Sequence, residues 1–392
     1  MHFCDHNATA PLRPESREAV LAALAIGGNP ASVHAAGRAA HAMVEQAREA
    51  VAHLVNAKPD DVIFTSGATE SNFLALAGAV EGAATIGEKP VRITRLFVSA
   101  IEHSSVLKTA MHLAERAPGL RLDLIPVTAD GVVDTEALRV MLREGKGRTL
   151  IAVMAANNET GVIQPVAEIS RLAREAGSLL LLDAVTAAGK MDLDFSLCDY
   201  MTLSGHKIGG AQGVGALVVR DGAPFAPQIL GGGQQKGLRA GTENLSGIAG
   251  FGAAAKAATN DGEERARITK IRDDFEKAVK AAIPGTVVFG ERAPRLPNTS
   301  NIAIPGLTGE NIVIALDLDG VLVSSGSSCS SGKITASHVL SAMGVEENLS
   351  AASLRVSFGW NSTREDAEAV VAALLRLGSR VKIHSSKSEE AA

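Results

Sequence analysis

The chain has 392 residues, 46% of them apolar, and a formal net charge of −5 with acids and bases interleaved, a balance that argues against a nucleic-acid partner. No apolar run reaches the roughly 18 to 20 residues that span a bilayer, and "MHFCDHNATA" carries no basic-then-apolar pattern of the kind expected of a secretory signal. Three well-separated cysteines, Cys4, Cys198 and Cys329, argue against a disulfide framework and lead us to expect a reducing cytoplasm.

Taken in chain order, residues 38–56 place Met43, Ala47, Ala50, Val51 and Leu54 at helical spacing. The apolar run "DVIFTSG" reads as a strand, and "ATESNFLALAGAV" as a helix that opens after Gly67. The same alternation recurs. "RLFVSAI" is a strand and "SSVLKTAMHLAERAPG" a helix stopped by Pro118-Gly119. "LDLIPV" precedes the helix "DTEALRVMLREGK", and "RTLIAVMAA" precedes "PVAEISRLAREAG", with Pro165 at its start and Gly177 at its end. "LLLLDAV", "YMTLSG" and "GVGALVVR" are further strands. Continuous apolar strands alternating with helices predict an α/β fold, a mainly parallel sheet covered on both faces. Ligands in such sheets sit at the carboxyl ends of the strands.

From about residue 245 the texture changes. One long helical stretch to about 283 carries "DGEERARITKIRDDFEKAVK"; the strands "TVVFG", "NTSNIAIP" and "LRVSFG" follow. The last helix is "TREDAEAVVAALLRLGSRV", with Ser362 and Glu365 as a capping box. We expect a large domain over residues 16–255, a smaller α+β domain from 1–15 and 256–382, and a disordered tail over 383–392.

Several strands end in unusual polar residues. "VIFT" leads into Ser66-Gly67-Ala68-Thr69, where free amides at a helix start beside a hydroxyl suit a phosphate, or form an ordinary cap. "RLFVSAI" leads into Glu102-His103, and "IAVMAA" into Asn157-Asn158. Asp183 follows four leucines; a carboxylate there needs a partner, as a cap or as a functional acid. "YMTLSGHKIGG" sets Ser204, His206 and Lys207 where a buried strand emerges, and a desolvated lysine can act as a nucleophile toward a carbonyl. A phosphate cradle, an imidazole, an amide, a carboxylate and a lysine at strand ends form the set that pyridoxal phosphate needs.

At this point the sequence resembles a known family. "SGATES", "EHSSV", "NNETG", "LDAV", "SGHKIGG", "GGGQQKGLRAGTEN", "SSGSSCSSG" and "LRVSFG" look like the motifs of cysteine desulfurases of the NifS/IscS type, which are class V aminotransferase-like, fold-type I pyridoxal phosphate enzymes. The resemblance spans residues 5 to about 375 and implies a seven-stranded, mainly parallel sheet plus a small domain carrying a catalytic cysteine loop. It implies that Lys207 bonds the cofactor aldehyde, Asp183 faces the pyridine nitrogen, and His103 lies over the ring and helps move protons. Thr69, Ser204 and His206 would hold the phosphate near the Gly67-Ala68 backbone, with Asn158 near the ring oxygen. Thr242 would reach the phosphate of a neighbouring subunit, which implies a homodimer. Arg355 would bind the substrate carboxylate, with Asn29 nearby, and Cys329 would take the sulfur.

Two departures stand out. Thr186 occupies the position where the family usually has glutamine against the cofactor's phenolic oxygen, and a threonine is shorter. His6 stands where the family often has asparagine; with His2 and Cys4 it makes a cluster that we read as chance, so no metal is expected. The expected reaction takes sulfur from L-cysteine, leaves L-alanine and forms a persulfide on Cys329. The serines and glycines around that thiol would give it reach. The spacing of "SSCSSGKITASHVLSAMG" resembles the longer-loop group, whose sulfur goes to iron–sulfur scaffolds or sulfur carriers. The rival readings are a selenocysteine lyase of the same fold, an aminotransferase of the same fold, the latter with no need of Cys329, and a non-enzymatic nucleotide-binding protein. The last lacks both a phosphate-loop and a dinucleotide fingerprint.

Overall fold

The structure, a computed structural model, describes residues 1–82, 84–86, 89–144, 147–259, 262–304, 306–325 and 337–389. The chain opens with strand β1 (His2–Phe3) and helices α1 (Pro14–Ile26) and α2 (Ala35–Leu54). Next come β2 (Val62–Thr65), α3 (Ala68–Glu81) and the hairpin β3 (Ala84–Ile86) and β4 (Lys89–Val91). The alternation continues with β5 (Ile93–Ser99), α4 (Ser104–Arg116), β6 (Arg121–Ile125), α5 (Thr135–Arg143), β7 (Arg148–Met154) and α6 (Val166–Glu175). It ends with β8 (Leu179–Asp183), β9 (Tyr200–Ser204) and β10 (Gly215–Val219).

Seven of these strands form one sheet in the order β2-β10-β9-β8-β7-β5-β6. Its pairs are parallel except those of β10, which runs antiparallel to both neighbours. β2 therefore points the same way as β9. The carboxyl ends of β2, β5, β7, β8 and β9 share one edge, the edge expected to hold a ligand.

The leucine run of β8 follows from having helices on both faces. Leu180 and Leu182 join one apolar core, and Leu179 and Leu181 the other, because successive side chains alternate across a strand. α7 (Leu245–Ala258) is apolar nearly all round and packs against α1 and α2. A Cβ on its Gly252 would come within 2.5 Å of Ala47, so glycine lets the two helices touch.

The single helical stretch expected over 245–283 is two helices, α7 and α8 (Gly262–Ala282), with residues 260 and 261 between them outside the described set. The physical reason is that their surroundings differ. α7 is buried, whereas α8 carries alternating charge outward and buries Ile268, Ile271 and Phe275.

The second sheet, β11 (Val287–Val288), β12 (Thr299–Ala303), β14 (Ser324–Ser325) and β15 (Ser353–Ser357), has the antiparallel order β11-β12-β15-β14. Around it lie α9 (Gly309–Leu318), β13 (Val321–Leu322), α10 (His338–Ala342), α11 (Glu347–Ala351) and α12 (Arg364–Glu389). β1 pairs with β13, and Cys4 is buried in this second core. The N-terminus thus crosses from one sheet to the other, past the carboxyl edge of the first.

The capping box expected at Ser362 and Glu365 sits one residue on. Thr363 N–H donates to Asp366 at 2.8 Å, while the Ser362 hydroxyl accepts from Gly359 N–H at 2.9 Å. α12 runs on to Glu389, through residues that composition reads as disordered tail; no proline or glycine interrupts the chain after Gly378. Residues 390–392 of that tail lie outside the described residues.

Candidate active site

A cleft of about 770 Å³ opens at the carboxyl edge of the large sheet. Ala68, Thr69, His103, Asn158, Asp183, Thr186, Ser204, His206, Lys207 and Arg355 all line it. Five strand ends of the first sheet and one strand of the second bring them together. Asn29 and Thr242 do not line it: both are exposed, and the Asn29 amide oxygen accepts from Ala31 N–H at 2.9 Å. Cys329 lies outside the described residues.

One end of the cleft is made for an anion. The first amides of α3, at Ala68 and Thr69, have no acceptor inside the helix and lie at its positive end. Ser204 closes β9, and Gly215 of β10 passes so close that a Cβ there would lie 2.7 Å from Gly67. His206 pairs through Nδ1 with the Thr9 hydroxyl at 3.1 Å. Burial, then Lys207 and Lys190, push its pKa down to about 4, so it is neutral at ordinary pH.

In the middle, the Asp183 carboxylate is held by both oxygens. Val185 N–H donates to Oδ1 and Asn72 Nδ2 to Oδ2, each at 3.0 Å. Asn72 is fully buried; its Oδ1 accepts from Thr202 at 2.7 Å and its Nδ2 donates to Ser105 Oγ at 2.9 Å. His103 caps α4, with Nδ1 accepting Ser105 N–H at 3.1 Å, which leaves Nε2 to carry the proton of the neutral ring. Desolvation lowers its pKa, as do Lys207 and His338, while Asp183 opposes them. Next to it, Glu102 is wholly buried. Desolvation and Asp183 raise its pKa well above the usual carboxylate range, and its Oε1 accepts Met154 N–H at 2.6 Å.

Lys207 reaches into the cleft from the turn after β9 and donates to the carbonyls of Asn7 and, at 3.0 Å, Ala8. Burial first, then the Arg355 cation, lower its pKa to about 8; Asp5 and Asp183 act the other way. Arg355, on β15, is held by Asp5 Oδ1 at 2.9 Å and the Asn158 carbonyl at 3.3 Å. Its Nε is buried with no partner among the described residues. A buried guanidinium with an unfilled donor is a ready carboxylate site.

Thr186 is buried and lines the cleft; among the described residues its hydroxyl has no hydrogen-bond partner. Its carbonyl accepts from Lys190 Nζ at 3.0 Å, and Lys190 also reaches the Lys207 carbonyl at 3.3 Å. His2 and Cys4 both turn to Asp366, one to its carboxylate and the other to its carbonyl, and His6 turns elsewhere. His2 pairs with Asp366, His6 with Asn361 and the Ser357 carbonyl, and burial pushes the Cys4 thiol up to about 12. Among the described residues no three ligating side chains cluster for a metal.

Sequence reasoning missed Asp5, Asn7, Asn72 and Lys190. Asn72 had a signal: an amide inside the otherwise apolar stretch "NFLALAGAV" must find buried partners. Asp5 and Asn7 lie in "DHNATAPLRPE", which resembles the family's N-terminal stretch, but neither is read there as a site residue, because only the second sheet brings the N-terminus to the cleft.

Residues 2–370 match the model of the class V aminotransferase family. A cysteine desulfurase IscS of Dictyoglomus turgidum is 38% identical over 99% of this chain and 97% of its own length. A cysteine desulfurase of Cereibacter sphaeroides is 41% identical over 93% of this chain and 92% of its own. A NifS-like protein of Rickettsia africae, known by crystal structure, superposes with a TM-score of 0.86 at 33% identity, covering 97% of this chain and 99% of that one. The strand ends, the helix start and the lysine turn that build the cleft all fall inside these matches, and the chain belongs to the class V aminotransferase family, among its NifS/IscS-type cysteine desulfurases.

Proposed function

We propose that the chain is a cysteine desulfurase that uses pyridoxal phosphate to convert L-cysteine to L-alanine and carries the released sulfur as a persulfide on Cys329. The observation that carries this reading is the shared cleft of Lys207, Asp183 and Arg355, closed at one end by the α3 amides. The donor set suits the cofactor. Lys207 would bond its aldehyde, Asp183 would face its ring nitrogen, and His103 would cover the ring. Thr69, Ser204, His206 and the Ala68 amide would hold its phosphate, and Asn158 with Thr186 would lie near its ring oxygen. When bound, pyridoxal phosphate supplies the electron sink that loosens the substrate's Cα–H and Cβ–S bonds.

The chain's own residues do the rest. Arg355, held by the Asn158 carbonyl, orients the substrate carboxylate, and Asn29 is assigned to the same end. Lys207, with a pKa near 8, can take the α-proton at Nζ and return it. Cys329 as thiolate attacks the substrate sulfur; the S–S bond forms as the Cβ–S bond breaks, and Cβ gains a proton. In sum, L-cysteine and the Cys329 thiol give L-alanine and the Cys329 persulfide.

Thr242 is the assigned phosphate ligand left outside its own chain's cleft, which supports a homodimer with shared sites. No helix among the described residues is long and apolar enough to cross a membrane. We assign the chain to the cytoplasm, with an iron–sulfur scaffold or sulfur carrier as acceptor.

The test is alanine and sulfide formation from L-cysteine with a thiol reductant. Lys207→Ala is expected to lose roughly 10²- to 10⁴-fold in both. Cys329→Ser should abolish sulfide release while its colour with pyridoxal phosphate persists. Undiminished sulfide from Cys329→Ser would sink the proposal.

A further inference from the structure

Arg355 does not stand alone. β14 and β15 pair with Ser324 directly opposite Arg355, and Asp5 lies against the same pair through a bridge to Ser357. Asp5 divides its carboxylate between them: Oδ1 accepts from Arg355 NH2 at 2.9 Å, and Oδ2 from the Ser324 hydroxyl at 2.7 Å. The pair is largely buried, with 9% of the arginine side chain and 18% of the aspartate side chain exposed.

Without Asp5, two outcomes compete. An anion removed from beside a carboxylate site relieves repulsion, which favours the ligand. A guanidinium released from Asp5, its carboxylate partner among the described residues, can turn toward the Asn158 carbonyl, 3.3 Å from NH1, and its orientation at the cleft is then no longer fixed. Hydrogen bonds between charged groups are short, directional and about twice as strong as neutral ones. A long side chain freed from such a bond also has rotamer entropy to lose when the ligand binds. Fixed orientation therefore outweighs repulsion here. The carbonyls of Asn7 and Ala8, two and three residues after Asp5, hold Lys207, so one stretch of chain braces both cationic groups of the cleft.

We propose that Asp5 is a positioning residue: held by Ser324, it aims Arg355 at the substrate carboxylate. The inference rests on the assignment of Arg355 as that carboxylate's partner. Ser324 lies five residues before Cys329, so the same hydrogen bond fixes the chain at the root of the segment bearing the thiol.

The test uses the full chain loaded with pyridoxal phosphate, and L-alanine as a probe that has the carboxylate but no sulfur. Calorimetry gives its Kd, and steady-state kinetics with L-cysteine give KM and kcat separately. Asp5→Asn should raise the L-alanine Kd and the L-cysteine KM by roughly tenfold to a hundredfold, with kcat changed less than about threefold. Asp5→Glu should recover part of that loss, and Ser324→Ala should raise Kd by a smaller factor. A merely structural Asp5 would lower the melting temperature and leave Kd and KM where they are. Wild-type or tighter L-alanine binding by Asp5→Asn overturns the inference. If Asp5→Asn fails to fold, Ser324→Ala decides, and a wild-type Kd there overturns it equally. Arg355→Lys separates the two layers. If it binds L-alanine like wild type, the carboxylate assignment fails and the inference with it; if it binds weakly while Asp5→Asn does not, only the inference fails.

Discussion

A lysine amine attacks an aldehyde only after losing its proton, so if Lys207 is the amine that bonds pyridoxal phosphate, as proposed, its pKa sets how fast the cofactor is taken up. Burial and Arg355 lower that pKa to about 8. Below it, each pH unit removes about nine-tenths of the reactive amine. Uptake by the apoprotein is therefore expected to rise about tenfold per unit up to pH 8 and to flatten above it, measured by stopped-flow absorbance. Removing the cation in Arg355→Met should move the inflection up, and Asp5→Asn should move it down, because Asp5 favours the charged amine. The stability linkage has matching sign. A lysine depressed in the fold contributes fully above the ordinary lysine pKa, and that contribution is lost as pH falls through about 8. An inflection near pH 10 would mean that the amine is not desolvated. Of these residues, Lys207 was legible in the sequence because a lysine is costly where a buried strand emerges. Its tuning was not, since Arg355 and Asp5 arrive from positions 148 residues after and 202 before it.

At the scale of elements, α3 does more than offer its amides. Asn72, one turn in, ties the helix to β8 through Asp183, to β9 through Thr202 and to α4 through Ser105. The isosteric Asn72→Leu leaves the Thr202 hydroxyl and one Asp183 oxygen buried without partners. Each such group costs about 1–3 kcal/mol, so the two together should lower the unfolding free energy by roughly 2–6 kcal/mol, read as a lower urea midpoint at unchanged slope. The affinity for pyridoxal phosphate should fall too, because Asp183 is then held only by Val185 N–H. Unchanged stability and affinity would show that the amide is a passenger. The strands β5, β7, β8 and β9 were readable because burial on both faces demands unbroken apolar runs. β13 and β14 were not, being two residues each and existing only through their pairing with β1 and β15. The break between α7 and α8 was legible in "TNDG", four residues of low helix propensity that a reading as one continuous stretch passes over.

For the whole molecule, the question is whether one chain makes a complete site. Thr242 is exposed at the end of the glycine-rich segment 231–241, and a neighbouring copy could receive it at its α3 phosphate end. Nearby Gln235 adopts a left-handed backbone, φ 46°, and donates to Glu243 while its oxygen accepts Phe64 N–H at 2.8 Å and Arg48 at 3.0 Å. Such strain at a non-glycine residue persists only when the surroundings impose it. Here it fixes the segment to the edge of β2, beside Thr242. If the sites are shared, two dead variants should repair each other. Lys207→Ala lacks the amine but keeps a sound Thr242. Thr242→Asp keeps its amine but sets a carboxylate against its neighbour's phosphate. Unfolded together and refolded at equal amounts, half of the dimers are mixed, and each mixed dimer holds one site with both residues intact. About a quarter of wild-type desulfurase activity should return from random reassortment in a twofold dimer. A cleft completed within one chain gives the opposite result: no gain over the sum of the two variants refolded separately.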